Sequence, residues 1–159
     1  MNKQNLIQKI LIRLGAELEG YFRAARLAHD EATHEQSKAE NKYDTRGLEA
    51  SYLAHGQSRQ AGEIQAAIAA FESMDVRRFG AGDPIGTGAL VELEHDGKRT
   101  VFFIATRAGG MEVAHEKQTV LVITPHSPMG EQLHGKKQGD LVQLPAGGAL
   151  IQYRVVKVS

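Results

Sequence analysis

The chain has 159 residues and balances nineteen Lys and Arg against nineteen Asp and Glu. That is room for one or two small domains at about 100–200 residues each, and the neutrality argues against direct binding to nucleic acid. The absence of cysteine excludes disulfides and thiolate metal sites and fits a reducing compartment. The start from Met1 to Asn5 is polar, Gln8, Lys9 and Arg13 break up the apolar residues beyond it, and no run of about 18 apolar residues exists to span a bilayer. A soluble, cytoplasmic protein with no membrane partner is the expectation.

Helix-forming residues dominate from Asn2 to Met74, without a proline. Apolar and small residues recur at Ile7, Leu11, Leu14, Leu18, Tyr21, Ala25, Ala28 and Ala32, in alternating steps of four and three. A second stripe runs through Gly47, Ala50, Ala54, Gln57, Ala61, Ile64, Ile68 and Phe71 in the opposite phase. Folded antiparallel, Ile7 meets Phe71, Leu11 meets Ile68, Leu14 meets Ile64 and Ala28 meets Ala50. Those pairs have a nearly constant index sum, which puts the turn near Ala39 and Glu40. Seams of this type sustained over several heptads predict a coiled coil, here made within one chain. The seam side chains shrink toward the turn, so the hairpin reads as a slim prong suited to a narrow opening. The competing reading of such stripes is a dimerising or scaffold coil.

Past Arg77 the composition changes. All four prolines, Pro84, Pro125, Pro128 and Pro145, lie beyond it with most of the glycines. Phe79 to Pro84 reads as a linker by its turn residues. Gly88 to Glu94 and Thr100 to Thr106 flank an Asp96-Gly97 turn and predict a hairpin. Gln118 to Thr124 is a further β-branched run. Ser127 to Leu133 predicts a short helix capped by Ser127, with Pro128 at its first position and Gly135 at its end. Asp140 to Leu144 and Leu150 to Val158 make a last strand pair around Pro145 to Gly148. The predicted fold class is α+β: an antiparallel coiled-coil hairpin over residues 1–75, its tip near 35–46, and an antiparallel sheet domain with one short helix over 80–159.

The stretch Ile123-Thr124-Pro125-His126-Ser127-Pro128-Met129-Gly130-Glu131-Gln132-Leu133-His134-Gly135-Lys136-Lys137-Gln138-Gly139-Asp140 resembles the signature of the GreA/GreB transcription elongation factors. In that family a Ser-Pro-x-x-x-x-Leu-x-Gly-Lys-x-x-Gly-Asp run precedes a strand, a Pro/Gly turn and a final strand. Val76-Arg77-Arg78-Phe79-Gly80 is similar to the family's lead into this domain, and Ala39-Glu40-Asn41-Lys42-Tyr43 resembles its tip. The resemblance implies an FKBP-like C-terminal domain that docks at the rim of the bacterial RNA polymerase secondary channel, with the coiled coil pushed inward. It further implies a factor that is not itself an enzyme, acting at most as cofactor to the transcript-cleavage activity of the polymerase. Nascent RNA would be met only indirectly. On the docking domain the matching residues are Ser127, Pro128, Gly135, Lys136, Gly139 and Asp140, and the protein would act as a monomer.

In the family, acidic tip residues help hold a second Mg²⁺ at the polymerase active centre, a role suited to hard carboxylate ligands. Glu40 matches the family's Glu, but Ser37 stands where the leading acid belongs. Glu40 and Asp44, one helical turn apart, are the substitute pair for catalysis and metal holding inside the polymerase complex, with Glu35 as a further candidate. From His34 to Arg46 the three acids Glu35, Glu40 and Asp44 are matched by the bases Lys38, Lys42 and Arg46, so the tip is neutral. Ser37 and Glu40 also have capping-box spacing, an equally good structural account of Glu40.

Seven histidines form no ligand motif, no P-loop is present, and Ser127 has no partner acid or base nearby in sequence. Lys136 and Lys137 fit a docking surface or an exposed turn equally well. The sequence therefore predicts a Gre-like secondary-channel regulator that either stimulates cleavage or occupies the channel, with the neutral tip leaning toward the second. The alternative is a coiled-coil adaptor or chaperone-like module that never touches polymerase.

Overall fold

The computed structural model describes residues 1–33 and 52–159. By contact the chain divides into two compact units, one made of Met1–Ile10 with Ala70–Ser159 and the other of Leu11–Ala69. The division falls inside the helices, so the start of the first helix and the end of the second belong with the sheet.

Helix α1 spans Lys3–Thr33 and α2 spans His55–Glu72. Asn2 opens α1 as a cap: its side-chain oxygen accepts from the Asn5 N–H at 3.1 Å, and its carbonyl accepts from the Leu6 N–H at 3.1 Å. Asn is among the best residues for satisfying those first, otherwise orphaned, donors. In the helical unit the two helices lie side by side and antiparallel. The His29 and Tyr52 rings stack with centroids 3.7 Å apart, and a groove is lined by Gly20 and Ala24 of α1 with Gln57 and Ile64 of α2. Leu14, Phe22, Ala25 and Ala61 are buried in the seam, with Leu18, Tyr21, Ile64 and Ile68 half-buried. Ala28 and Gln57, placed on the seam by periodicity, are exposed. The expected turn near Ala39 and Glu40 lies outside the described residues.

The sheet has six strands: β1 Leu90–His95, β2 Lys98–Ile104, β3 Glu112–His115, β4 Gln118–Ile123, β5 Leu141–Ala146 and β6 Ala149–Val158. Their order is β3-β4-β2-β1-β6-β5. All neighbours pair antiparallel except β2 and β4, which run parallel from Val101 opposite Val120 to Ile104 opposite Ile123. The sheet is therefore mixed rather than wholly antiparallel. The physical reason is β3, a four-residue strand that takes the chain back so that β4 re-enters beside β2.

Three hairpin turns fix the register with paired positive φ angles, at Asp96 and Gly97 (49° and 72°), Glu116 and Lys117 (47° and 67°), and Gly147 and Gly148 (59° and 82°). Such primed turns match the twist of the flanking strands. Glu116 and Lys117 accept this conformation without glycine, a local strain held by the β3–β4 pairing of His115 with Gln118.

Strand alternation gives the sheet two buried faces. On one, Val91, Leu93, Phe102, Ile104, Val142, Leu144 and Val155 pack with Ile85 and Leu133. On the other, Leu90, Val101, Phe103, Val113, Val120 and Val122 are equally buried. The same unit buries Leu6, Ile10 and Phe71 completely, and Lys9 Nζ reaches the Ala114 carbonyl at 2.8 Å. This second surface explains why Leu6 and Ile10 are buried although they lie beside the heptad stripe.

Candidate functional site

The signature segment folds as turn, helix and turn, and its side chains are largely committed to holding that path. Helix α3 spans Pro128–Leu133, with Ser127 as N-cap in extended conformation and Pro128 in the first helical position, where a missing N–H costs nothing. Ser127 Oγ donates to the Thr124 carbonyl at 2.7 Å and accepts from the Gly130 N–H at 3.1 Å. Its hydroxyl is thereby used twice, which suits a cap and not a nucleophile.

Gly130 is buried where α3 crosses the preceding turn. A Cβ there would lie 1.9 Å from the Thr124 carbonyl oxygen, closer than any side chain can sit. Leu133 is fully buried in the core of that face. Gly135 follows with φ 76°, as a helix end of this kind favours. Its N–H donates to the Ile85 carbonyl at 2.9 Å, and the Ile85 N–H donates to the Lys136 carbonyl at 2.7 Å, which clips the segment to the linker side of the sheet. Gly139 has φ 97°, and its N–H donates to the Val155 carbonyl at 2.8 Å. Asp140 closes the last turn, its carboxylate accepting from the Lys137 N–H at 2.8 Å.

Of the docking candidates, Ser127, Pro128, Gly135, Gly139 and Asp140 thus each have a conformational task, and Lys136 contributes its backbone to the clip. His126, Pro128, Glu131, Gln132, His134, Lys137 and Gln138 are exposed along the same stretch. The segment presents a rigid, solvent-facing edge whose shape is set by backbone bonds. The tip candidates Glu35, Ser37, Lys38, Glu40, Lys42, Asp44 and Arg46 lie outside the described residues. Among the described residues no group of three or more His, Asp or Glu could hold a metal ion, and no described helix is long and apolar enough to cross a membrane.

Two further clusters escaped the sequence. Lys3 is buried, donates to the carbonyls of Arg77 and of Gly88 (3.1 Å for the latter), and sits 4.9 Å from the centroid of the Phe79 ring. The Arg77 guanidinium stands 4.5 Å from the same ring and 3.8 Å from the Asp83 carboxylate. Burial, reinforced by the Arg77 charge and opposed by Asp75, holds the Lys3 pKa below its ordinary value. The linker residues 77–79 thereby become part of the packed unit, since a buried ammonium needs such partners.

His115 lies on the β3 end, with its side chain wholly buried and neither ring nitrogen hydrogen-bonded. Burial lowers its pKa, with Glu116 (3.4 Å from Nε2) opposing and Lys9 assisting. Glu116 in turn accepts from the Asn2 N–H at 2.9 Å, which depresses its own pKa. Lys3 gives no local sequence signal, because its carbonyl partners lie more than seventy residues away, and the burial of His115 is set by the fold and not by its neighbours in sequence.

Comparison with known proteins places these features. Residues 81–159 match the family described as "Transcription elongation factor, GreA/GreB, C-term". The chain is 30% identical over 130 residues to the "Transcription inhibitor protein Gfh1" of Thermus thermophilus, covering 78% of this chain and 77% of that protein. It is 30% identical over 96 residues to the "Transcription elongation factor GreA" of Methylococcus capsulatus, covering 60% and 58% of the two chains. The crystal structure of the Thermus thermophilus GreA factor homolog 1 (Gfh1) shares 27% identity, covers 94% of each chain and has a TM-score of 0.41. The class these comparisons define is that of the GreA/GreB transcription factors. The chain belongs to the GreA/GreB family.

Proposed function

We propose that this protein binds bacterial RNA polymerase at its secondary channel, docks there through the sheet unit, and occupies the channel with the helical hairpin instead of stimulating RNA cleavage. The observation that carries the choice is the tip sequence, where Glu35, Glu40 and Asp44 are balanced by Lys38, Lys42 and Arg46 and Ser37 replaces the expected leading acid. A segment meant to recruit a divalent cation among other carboxylates works best with unneutralised hard oxygen ligands. This donor set fits Mg²⁺ poorly: two carboxylates four residues apart have Lys42 between them and Lys38 and Arg46 beside them. A relative of similar coverage bears the name of a transcription inhibitor, which supports the same choice.

On this reading the protein acts by exclusion. Whatever must pass or enter the channel competes with the hairpin for one volume, and the effect follows binding by mass action. The docking edge from Ser127 to Asp140 contributes pre-organisation: its backbone is ordered before binding, so little conformational entropy is lost on docking.

The test uses stalled, backtracked polymerase complexes with added full-length protein. The expected result is that RNA length does not change while cleavage stimulated by an authentic Gre factor falls as this protein is titrated in. Shortened RNA that disappears with Glu40→Ala or Asp44→Ala would overturn the choice and assign cleavage stimulation. Failure to co-purify with polymerase, together with stable self-association through the helical half, would favour the adaptor reading.

A further inference from the structure

The two ends of the sheet are finished differently. At one end the outer edge of β3 is occupied: Lys9 Nζ donates to the Ala114 carbonyl at 2.8 Å, and Glu116 in the turn after β3 accepts from the Asn2 N–H at 2.9 Å. At the other end β5 pairs with β6 alone. The two-residue turn at Gly147 and Gly148 makes Ala146 and Ala149 a hydrogen-bonded pair, so the main-chain groups of Val142 and Leu144 point at β6 and those of Leu141, Gln143 and Pro145 point outward. Among the described residues, none of these three makes a backbone hydrogen bond outside the sheet. Proteins usually blunt such an edge with charge, proline or a covering segment. β5 has no charged residue, and Pro145 removes the donor at one position only while keeping its carbonyl. Leu141, Gln143 and Pro145 are exposed on one face, and Leu150 stands opposite Pro145 on β6. Leu141 and Leu150 are 50% and 68% exposed, and among the described residues they are the large apolar side chains that the sheet unit leaves to solvent.

We propose that β5 is a self-association edge, against which β5 of a second copy of this chain pairs antiparallel about a two-fold axis at Gln143. In that register the residue pattern is complementary to itself. Gln143 meets Gln143 of the second copy, with Gln152 behind each, and Leu141 meets Pro145, behind which lies Leu150. Two rows of leucine, proline and leucine thus flank a row of glutamines. Gly139 comes beside Gly147, where neither has a side chain to obstruct the other. Each Gln143 N–H donates to the opposing Gln143 carbonyl and each Leu141 N–H to the opposing Pro145 carbonyl, about four bonds in all. The donor missing at Pro145 falls at the periphery of the pair. A closed pair is favoured over an open stack, because β5 meeting β3 would build a filament and the Ala114 carbonyl on β3 already holds Lys9. Pairing of so few residues buries less than the about 1,200 Å² of a standard interface, so the dimer is transient, with a dissociation constant on the order of 100 µM.

Sedimentation equilibrium of the full chain tests the pairing, with the mass expected to rise from monomer toward dimer between about 10 µM and about 1 mM. Leu150→Lys puts an ammonium into each leucine row and should weaken the association about tenfold or more. Leu27→Lys, at an exposed position of α1, should leave it unchanged. The chain has no native cysteine, so single cysteines report the register. Gln143→Cys is expected to form a disulfide dimer under mild oxidation, because the paired Cα atoms lie about 5.5 Å apart. Leu141→Cys lies about 14 Å from its own copy in that register and is expected to stay unlinked. A monomer mass at the highest concentration overturns the proposal. So does a dimer abolished by Leu27→Lys and kept by Leu150→Lys, which would move the association to the helical pair. Equal linking of the two cysteine variants, or linking of Leu141→Cys alone, overturns it as well. Polymerase is absent from every arm, so failure of the pairing and failure of the transcriptional reading are separately visible.

Discussion

The sheet unit and the helical pair are held by different kinds of interaction, and the contrast predicts different sensitivity to substitution. In the sheet unit two apolar faces are buried, three primed turns lock the register, and the signature segment is bonded to Thr124, Ile85 and Val155. In the helical pair the seam is narrow, Ala28 and Gln57 stand exposed where periodicity puts apolar layers, and helix-interior glycines face open space. On the proposed reading, the rigid backbone geometry is the docking edge and the loosely packed pair the part that enters the channel. Substitutions in the first region should therefore cost far more than substitutions in the second.

The largest effect is expected at Gly130. A methyl group there meets the Thr124 carbonyl oxygen at 1.9 Å, and the nearest atoms are all backbone of Thr124 and Pro125, with no flexible side chain to yield. Gly130→Ala should destabilise the sheet unit by more than about 3 kcal/mol or prevent its folding, because overpacking against backbone forces main-chain shifts. Urea denaturation followed by far-UV circular dichroism measures it. A loss below about 1 kcal/mol would mean that the α3 crossing is loose, and the contrast between the regions would weaken.

Leu133→Ala comes next, at about 2–5 kcal/mol, since it removes a fully buried side chain from a core closed on all sides. Ser127→Ala should cost about 1–2 kcal/mol, for it deletes the cap to Gly130 and the bond to Thr124 together. The pair sharpens the docking question. If Ser127 matters to polymerase only through folding, the Ser127→Ala loss of binding should vanish under conditions where the variant is fully folded. Loss of affinity in the folded variant would assign Ser127 a direct contact.

How much of this was legible from sequence follows the range of the interactions. The Asp96-Gly97 turn, the Ser127 cap and the Gly147-Gly148 turn are local and were readable, because a few neighbouring residues determine each. The strand β3 was not readable: Glu112-Val113-Ala114-His115 is short, and its turn uses Glu116 and Lys117 in a conformation usually left to Asn or Gly. With β3 hidden, the parallel pairing of β2 with β4 was hidden too. Lys3 was unreadable for the related reason that its partners are remote in the chain, and His115 because its burial is decided by the tertiary fold. The seam was read correctly in kind, but a heptad template treats the helix as touching one neighbour, and near Leu6 and Ile10 it also packs with the sheet unit.

His115 gives a pH test within the sheet unit. Its pKa is depressed by burial, so the folded state prefers neutral imidazole, while the unfolded chain titrates near 6.5. Stability from this group is present above the unfolded pKa and is lost as pH falls below it, with a slope of at most about 1.4 kcal/mol per pH unit. Melting temperature measured from pH 8 to pH 5 should drop on the acid side, and His115→Phe should flatten the drop. An unchanged slope in that variant would place the acid sensitivity elsewhere.

The smallest effect is expected in the helical pair, at the Arg13–Glu17 ion pair. Its atoms are 3.6 Å apart one turn along α1, and both side chains are about half exposed. Water and salt screen such a pair. Arg also precedes Glu, the less favourable orientation relative to the helix dipole. Glu17→Gln should change stability by no more than about 0.5 kcal/mol, and by less in 0.5 M salt, in the same denaturation experiment used for Gly130→Ala. A change above about 1 kcal/mol would mean that the α1–α2 pair depends on side-chain electrostatics at this level. That would give the groove lined by Glu17 and Gly20 a fixed shape and remove the physical basis for treating the helical pair as the softer half of the molecule.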